Sequence, residues 1–374
     1  MPPMPKDETS PNPPPIRIVF MADTHLGFDS PIHPRIQRRR RGDDFFMNFQ
    51  RILDYAIDHK VDLVVHGGDL FFRARIPKPI VDQVYTQLRE FSQSGIPMLI
   101  VPGNHEFSRL PEPHRIDQQN IYLFETPGTF QFQIRGTRIA IGGFPFHRKN
   151  IRDRFSELVH ETGVLKSNAD IRLLVIHQAV EGAQVGKSNY TFRSGEDVVR
   201  GRDIPSGVHV VLAGHIHRQQ ILTFPQKTGL SVPVIYSGSI ERTSFAERDE
   251  QKGFYVIEFS KTGERWGLSN AEFHPLPVRP MVDIELDLSS LTPENLDSKL
   301  PELLKNLDPH AVVRISCKVV PELWLRKKLT AEYLRSISSP MMNISIGSSF
   351  LPSRQYDKGQ KTRLKNQTRL TFIK

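Results

Sequence analysis

The sequence predicts an α/β protein of two packed sheets with a smaller α+β domain after it. Short apolar runs of strand length alternate with segments of helical spacing through most of the chain, as expected of an α/β fold. Polar motifs rich in Asp, His, Asn and Gly follow those runs directly, and from about Met281 the order changes to strand, helix, strand, helix, strand.

Ile16–Met21 reads as the first strand. Behind it Phe45, Phe46, Phe49, Ile52, Leu53, Ala56 and Ile57 recur at helical spacing, with Asp43 and Asp44 placed to cap the helix start. Val61–Val65 is the second strand. Ile80, Val81, Val84, Leu88 and Phe91 mark a second helix, opened by Pro77, whose fixed φ suits a first helical turn, and stopped by Gly95. Further strands are expected at 98–101, 138–141, 171–176, 208–212, 232–236 and 254–259. The small domain is expected as strand 281–288, helix 293–307, strand 311–319, helix 322–337 and strand 342–346. The domain plan is therefore a leader over 1–15, a large domain over 16–278, a small domain over 279–352 and a basic tail over 353–374.

At 374 residues, 38% of them apolar, the chain can bury a sizeable core. Its first fifteen residues hold seven prolines and no apolar stretch, which predicts a flexible leader rather than a secretory signal. No apolar run approaches the ~18–20 residues that span a bilayer, so a cytoplasmic protein without a membrane partner is expected. A lone cysteine, Cys317, makes no internal disulfide and reads as a small buried apolar residue. Fifty Lys and Arg against forty-one Asp and Glu leave a net charge of +9, which favours a polyanionic partner.

Five motifs carry the chemistry: Asp23-Thr24-His25, Gly67-Gly68-Asp69, Gly103-Asn104-His105-Glu106, His177-Gln178 and Gly214-His215-Ile216-His217. Ligands in α/β sheets bind beyond the carboxyl ends of strands, so motifs that follow strands can converge from distant segments on one pocket. Carboxylate, imidazole and amide oxygen without thiolate suit manganese, iron or zinc. Residues two apart on a strand ending share a side, which pairs Asp23 with His25 and His215 with His217. The glycines before Asp69, Asn104 and His215 permit close backbone approach.

In type and order these motifs resemble the calcineurin-like metallophosphoesterase superfamily, with a match over roughly residues 16–260. Within it the chain is most similar to the SbcD-type nuclease subunit of double-strand-break repair complexes. That finer resemblance rests on Asp23-Thr24-His25-Leu26-Gly27, on Gly68-Asp69-Leu70-Phe71, and on Tyr236-Ser237-Gly238-Ser239-Ile240-Glu241-Arg242 followed by Lys252-Gly253-Phe254. The resemblance implies a four-layer α/β/β/α sandwich with a C-terminal α+β capping domain. It implies two divalent ions, Mn²⁺ first among the choices, one on Asp23, His25, Asp69 and His217 and the other on Asp69, Asn104, His177 and His215. It implies that His105 is catalytic, stabilising charge or protonating the leaving oxygen. DNA, a second copy of the chain and an SbcC-type coiled-coil ATPase are the partners it suggests.

The chain departs from that pattern at Phe72, where nuclease relatives usually place a histidine, and more mildly at Glu106 in place of aspartate. Phe72 reads as a core aromatic first and as a stacking platform for nucleic acid second. Arg39, Arg40, Arg73, Arg75 and Arg109 follow the first three motifs and are candidate phosphate contacts, with a solvated basic loop the equal alternative for each. His59, His114, His160, His209 and His310 read as surface or structural histidines; His33, His66 and His147 lie near motifs without a ligand position. The leading expectation is a two-metal DNA nuclease, exonuclease or endonuclease, of DNA repair. Its rivals are a nucleotide or cyclic-nucleotide phosphodiesterase or phosphatase, and a non-catalytic scaffold that binds DNA ends.

Overall fold

The computed structural model describes residues 13–28, 40–116, 120–223, 229–318 and 321–347. Residues 1–12 of the leader expected over 1–15, the tail from 353 and Arg39 lie outside the described residues. The chain folds as two compact units. Arg41–Thr243 and Asp249–Val278, with the first strand, form the larger; Ser244–Arg248 and the chain from Arg279 form the smaller.

Two six-stranded sheets build the larger unit. The first runs Arg265–Pro275, Gly253–Thr262, Ile16–Met21, Leu63–His66, Met98–Ile100, Ile121–Leu123, and its last four strands are parallel. The second runs Gln220–Leu222, Val234–Tyr236, Val210–Gly214, Ile171–His177, Thr137–Gly143, Gly128–Ile134, with the middle four parallel. Because side chains alternate across a strand, each parallel strand feeds two cores. Val19 and Met21 pack with the Gly42–Asp58 and Lys78–Ser92 helices, through Phe45, Phe49, Val84 and Leu88. Ile18 and Phe20 join Leu173 and Val175 of the second sheet in an intersheet core. Leu174 and Ile176 face outward onto Phe155 and Val159 of the Ile151–Thr162 helix. The order is helices, sheet, sheet, helix, the four layers that the resemblance implied. Each fully buried Leu, Ile or Val there contributes on the order of 1.5–3 kcal/mol.

In the smaller unit Met281–Glu285, Val312–Ser316 and Asn343–Ile346 form a three-stranded parallel sheet. The Pro293–Lys305 helix lays Leu296, Leu300 and Leu304 against Val313 and Ile315. Thr292 caps it in a reciprocal capping box with Asn295.

Several local expectations change. Asp43 and Asp44 lie inside the first turn of their helix, which begins at Gly42, so they complement its dipole instead of preceding it. The single helix expected over 322–337 is two short ones, Leu323–Lys328 and Ala331–Ser336. Leu329 leaves the helical region at ψ 57°, and the Thr330 hydroxyl accepts from the Tyr333 N–H to start a new helix. Gly128–Ile134 and Arg265–Pro275 are strands that sequence reading passed over, each at a sheet edge with its side chains mostly half-buried or exposed.

Candidate metal centre

Strand register delivers the motifs to one place. Met21 pairs with His66 and His66 with Ile100, so three parallel strands of the first sheet end level, and the loops behind them carry Asp23, Asp69 and Asn104. In the second sheet Gly214 pairs with His177, which brings His215 and His217 beside His177. The two sheets meet at these ends: the Gly67 carbonyl accepts from His177 Nδ1 at 2.8 Å, and the Asp23 carboxylate accepts from the His215 N–H at 3.1 Å.

The backbone is bent to suit. Asp23, His25, Asp69 and His215 all have left-handed φ, at 51°, 45°, 55° and 86°. Such conformations cost non-glycine residues on the order of 1–3 kcal/mol each and persist only where surrounding structure imposes them. A Cβ at Gly103 would overlap the Asp69 carboxylate, and one at Gly214 would overlap the Gly67 carbonyl. Glycine there allows the loops to close upon each other.

All seven expected ligands and His105 come together. Asp23, His25 and His217 form one group whose ligand atoms lie within 4.8 Å of one another; His25, Asp69 and His105 form a second, and Asp23, Asp69 and His177 a third. Asn104 stands on the far side, its Oδ1 3.0 Å from His177 Nε2 and 2.8 Å from His215 Nδ1. Asp69 belongs to the second and third groups, as His25 does to the first and second and Asp23 to the first and third; its Oδ2 lies 3.3 Å from His177 Nε2, 3.8 Å from His105 Nε2 and 3.9 Å from His25 Nε2. The Nε2 atoms of His25 and His217 approach to 2.9 Å. The donor set fits divalent cations. His177 spends its Nδ1 proton on the Gly67 carbonyl, so Nε2 turns towards the oxygens of Asp69 and Asn104, where only a proton or a cation satisfies all three.

The sequence model of calcineurin-like phosphoesterases matches residues 16–219, more than half the chain. The chain belongs to the calcineurin-like phosphoesterase family. This phosphoesterase is 25% identical over 273 residues to the DNA double-strand break repair protein Mre11 of Methanocaldococcus jannaschii, covering 72% of this chain and 69% of that protein. It is 30% identical over 276 residues to the protein of the same name from Haloferax volcanii, covering 73% of this chain but only 55% of the relative. Among solved structures it is similar to the calcineurin-like phosphoesterase YfkN of Bacillus subtilis, with 12% identity, a TM-score of 0.42, and 70% and 90% of the two chains covered.

Electrostatics of the phosphoesterase site follow from crowding. Burial pushes the Asp69 carboxyl upward, but the charge and hydrogen bond of His177, with His25 and His105, hold it well below the usual carboxylate range. Burial alone would lower the His177 imidazole, yet Asp69, aided by Asp23, lifts it to about 9. Burial raises Asp23, with Asp69 adding to the rise and His177 and His217 opposing it. Burial and the neighbouring His177 charge lower His215 to about 3, which leaves its ring neutral.

His105 donates from Nδ1 to the Phe72 carbonyl at 2.5 Å, and its backbone N–H donates to Asp69 Oδ1 at 2.9 Å. Phe72 is neither a core residue nor a free platform: it is half-buried, edge-on to Phe28, with its ring 5.9 Å from His25 and 5.7 Å from His105. Arg73 lies half-buried over the Phe72 ring, while Arg40, Arg75 and Arg109 are exposed. His66 proves structural. Buried, with its pKa lowered to about 3 by desolvation, it accepts from the Gly68 N–H and pairs with the Thr24 hydroxyl at 2.9 Å.

Sequence reading gave two supporting side chains too little weight. Glu106 is buried and accepts from the Phe71 N–H at 2.7 Å and the Gly103 N–H at 2.9 Å, so it ties the Asp69 loop to the Asn104 loop. Burial and the Asp69 charge push its carboxyl up to about 8. Lys252, also buried, donates to the His217 carbonyl at 2.8 Å and to Glu250 at 3.1 Å. The signal for Glu106 was its place in the third motif; for Lys252 only its position before Gly253-Phe254 marked it.

Proposed function

We propose that this phosphoesterase is a metal-dependent DNA nuclease of double-strand break repair. The convergence of the Asp23, Asp69, Asn104, His177, His215, His217 and His25 side chains on one place carries the reading. Relatives named for double-strand break repair and the excess of basic residues point to DNA as the polyanion.

One divalent cation would sit on Asp23, His25, Asp69 and His217, and a second on Asp69, Asn104, His177 and His215; manganese is the proposed ion. When bound, the pair supplies Lewis acidity and an activated water for in-line attack on phosphorus. The chain's own residues do the rest. Asp69 fixes the spacing of the two ligand groups. His105 gives a proton to the leaving oxygen from Nε2, because Nδ1 is committed to the Phe72 carbonyl and holds the ring in place. Arg40, Arg73 and Arg75 offer phosphate contacts, as Arg39 would, and contacts of that kind read no sequence. The smaller unit is proposed to help hold the duplex, and a homodimer and an SbcC-type ATPase are the proposed assembly.

Labelled linear, hairpin and single-stranded DNA incubated with manganese tests this directly. Phosphodiester cleavage that chelation abolishes is expected. Hydrolysis of small phosphodiesters with every DNA left intact would reject the nuclease in favour of a nucleotide phosphodiesterase.

A further inference from the structure

We propose that a cavity beside the Asn104–His105 loop takes one unpaired nucleobase, guanine by preference, from the strand being cut. This rests on the reading of the site as a DNA nuclease and names the form of DNA it accepts. The cavity measures about 250 Å³ and is lined by Pro102, Ser108, Arg109, Leu110, Leu123 and Glu125. That volume lies below the ~300–1,000 Å³ of sites for drug-sized ligands, so it suits a single planar ring system and not a whole nucleotide. Pro102 and Leu110 are buried and Leu123 half-buried, which gives the ring apolar faces to lie against. Arg109 and Glu125 supply a fork of donors and a pair of acceptors, and among the described residues neither side chain has a hydrogen-bond or ion-pair partner. Guanine carries acceptors at O6 and N7 on one edge, which suit the guanidinium, and a donor at N2 on another, which suits the carboxylate; an unpaired base exposes both.

One loop serves both places. The Phe107 N–H donates to the Asn104 carbonyl at 3.1 Å, the Ser108 N–H to the Gly103 carbonyl at 2.9 Å and the Arg109 N–H to the Glu106 carbonyl at 3.2 Å. The turn that aims Asn104 and His105 at the metal centre thus aims Ser108 and Arg109 at the cavity. Ser108 follows His105 by three positions, at most about 11 Å of chain, so a base in the cavity belongs to a nucleotide close to the scissile phosphate. Phe107 and Ser108 hold left-handed φ of 54° and 63°, and Phe107 is 71% exposed. Strain spent on presenting an aromatic ring to solvent beside a phosphoesterase centre fits a second, stacking contact to a neighbouring unpaired base.

The test is manganese-dependent cleavage by the full chain of oligonucleotides carrying, at each position flanking the cut, one of the four bases or an abasic residue. A single position is expected at which the abasic residue slows cleavage about tenfold or more and guanine is fastest. Arg109→Ala and Glu125→Ala should each flatten that dependence, bringing guanine and abasic substrates to one rate. Three outcomes overturn the proposal while leaving the nuclease standing: cleavage indifferent to the base at every position, Arg109→Ala that keeps the preference and only lowers the salt slope by about one, or Glu125→Ala that accelerates all substrates alike. DNA that is neither bound nor cut overturns both readings together.

Discussion

In the larger unit the oxygen of Asp69 looks onto the ring nitrogens of His25, His105 and His177, with the buried carboxyl of Asp23 in the same cluster. In the smaller unit Asp283 accepts from the Arg314 guanidinium and the Ser316 hydroxyl, with Arg248 3.3 Å away. Both clusters hold a carboxylate below its ordinary range: at Asp283 the Arg314 hydrogen bond is the main cause, at Asp69 the histidines overcome burial. The difference lies in the partner. A guanidinium carries its charge at every ordinary pH and satisfies the carboxylate within the fold. An imidazole brings either a proton or a lone pair, so a carboxylate among imidazoles can trade protons for a metal ion. One cluster is closed and serves the fold; the other is open and serves a ligand.

Substitutions break or sharpen this contrast in descending order. Asp69→Asn should have the largest effect, because in the proposed site its carboxylate serves both ions: manganese binding by calorimetry falls sharply and cleavage drops on the order of 10³-fold or more. Retention of two tightly bound ions in that variant would sink the shared-aspartate account. His105→Ala should cost on the order of 10²–10⁴ in cleavage while metal content stays near the wild-type level. If metal is lost along with activity, His105 is a ligand and its assigned role is wrong.

Asp283→Asn should leave metal and activity alone and lower stability by about 1 kcal/mol, read by denaturant unfolding. Its folded pKa is depressed, so the contribution is fully present above the unfolded value near 3.9 and fades as pH falls through the folded one. The gap between wild type and Asp283→Asn should therefore close in acid. A gap that widened there would mean the Arg314 pairing is not its source.

The buried parallel strands were legible because both faces are packed: Ile16–Met21 and Ile171–His177 are runs of apolar residues that need no partner to be recognised. Edge strands such as Arg265–Pro275 were not, since their exposed faces carry mixed residues and pairing alone defines them. Glu106 shows the same limit within the site. Its motif position was plain, but its work of joining two loops exists only once Phe71 and Gly103 are brought together.

By itself the sequence determined the inventory of the centre: which carboxylates, imidazoles and amide are available, in what order they follow the strands, and where glycine leaves room. The tertiary structure alone decided that Asp69 stands among His25, His105 and His177, that His177 turns Nε2 inward because Gly67 takes its other proton, and that four of these residues are held in left-handed backbone. Residue type is local and is written in the chain. Distance and direction between Asp69, in a loop behind the first sheet, and His177, at a strand end of the second, come into being only when the two sheets pack.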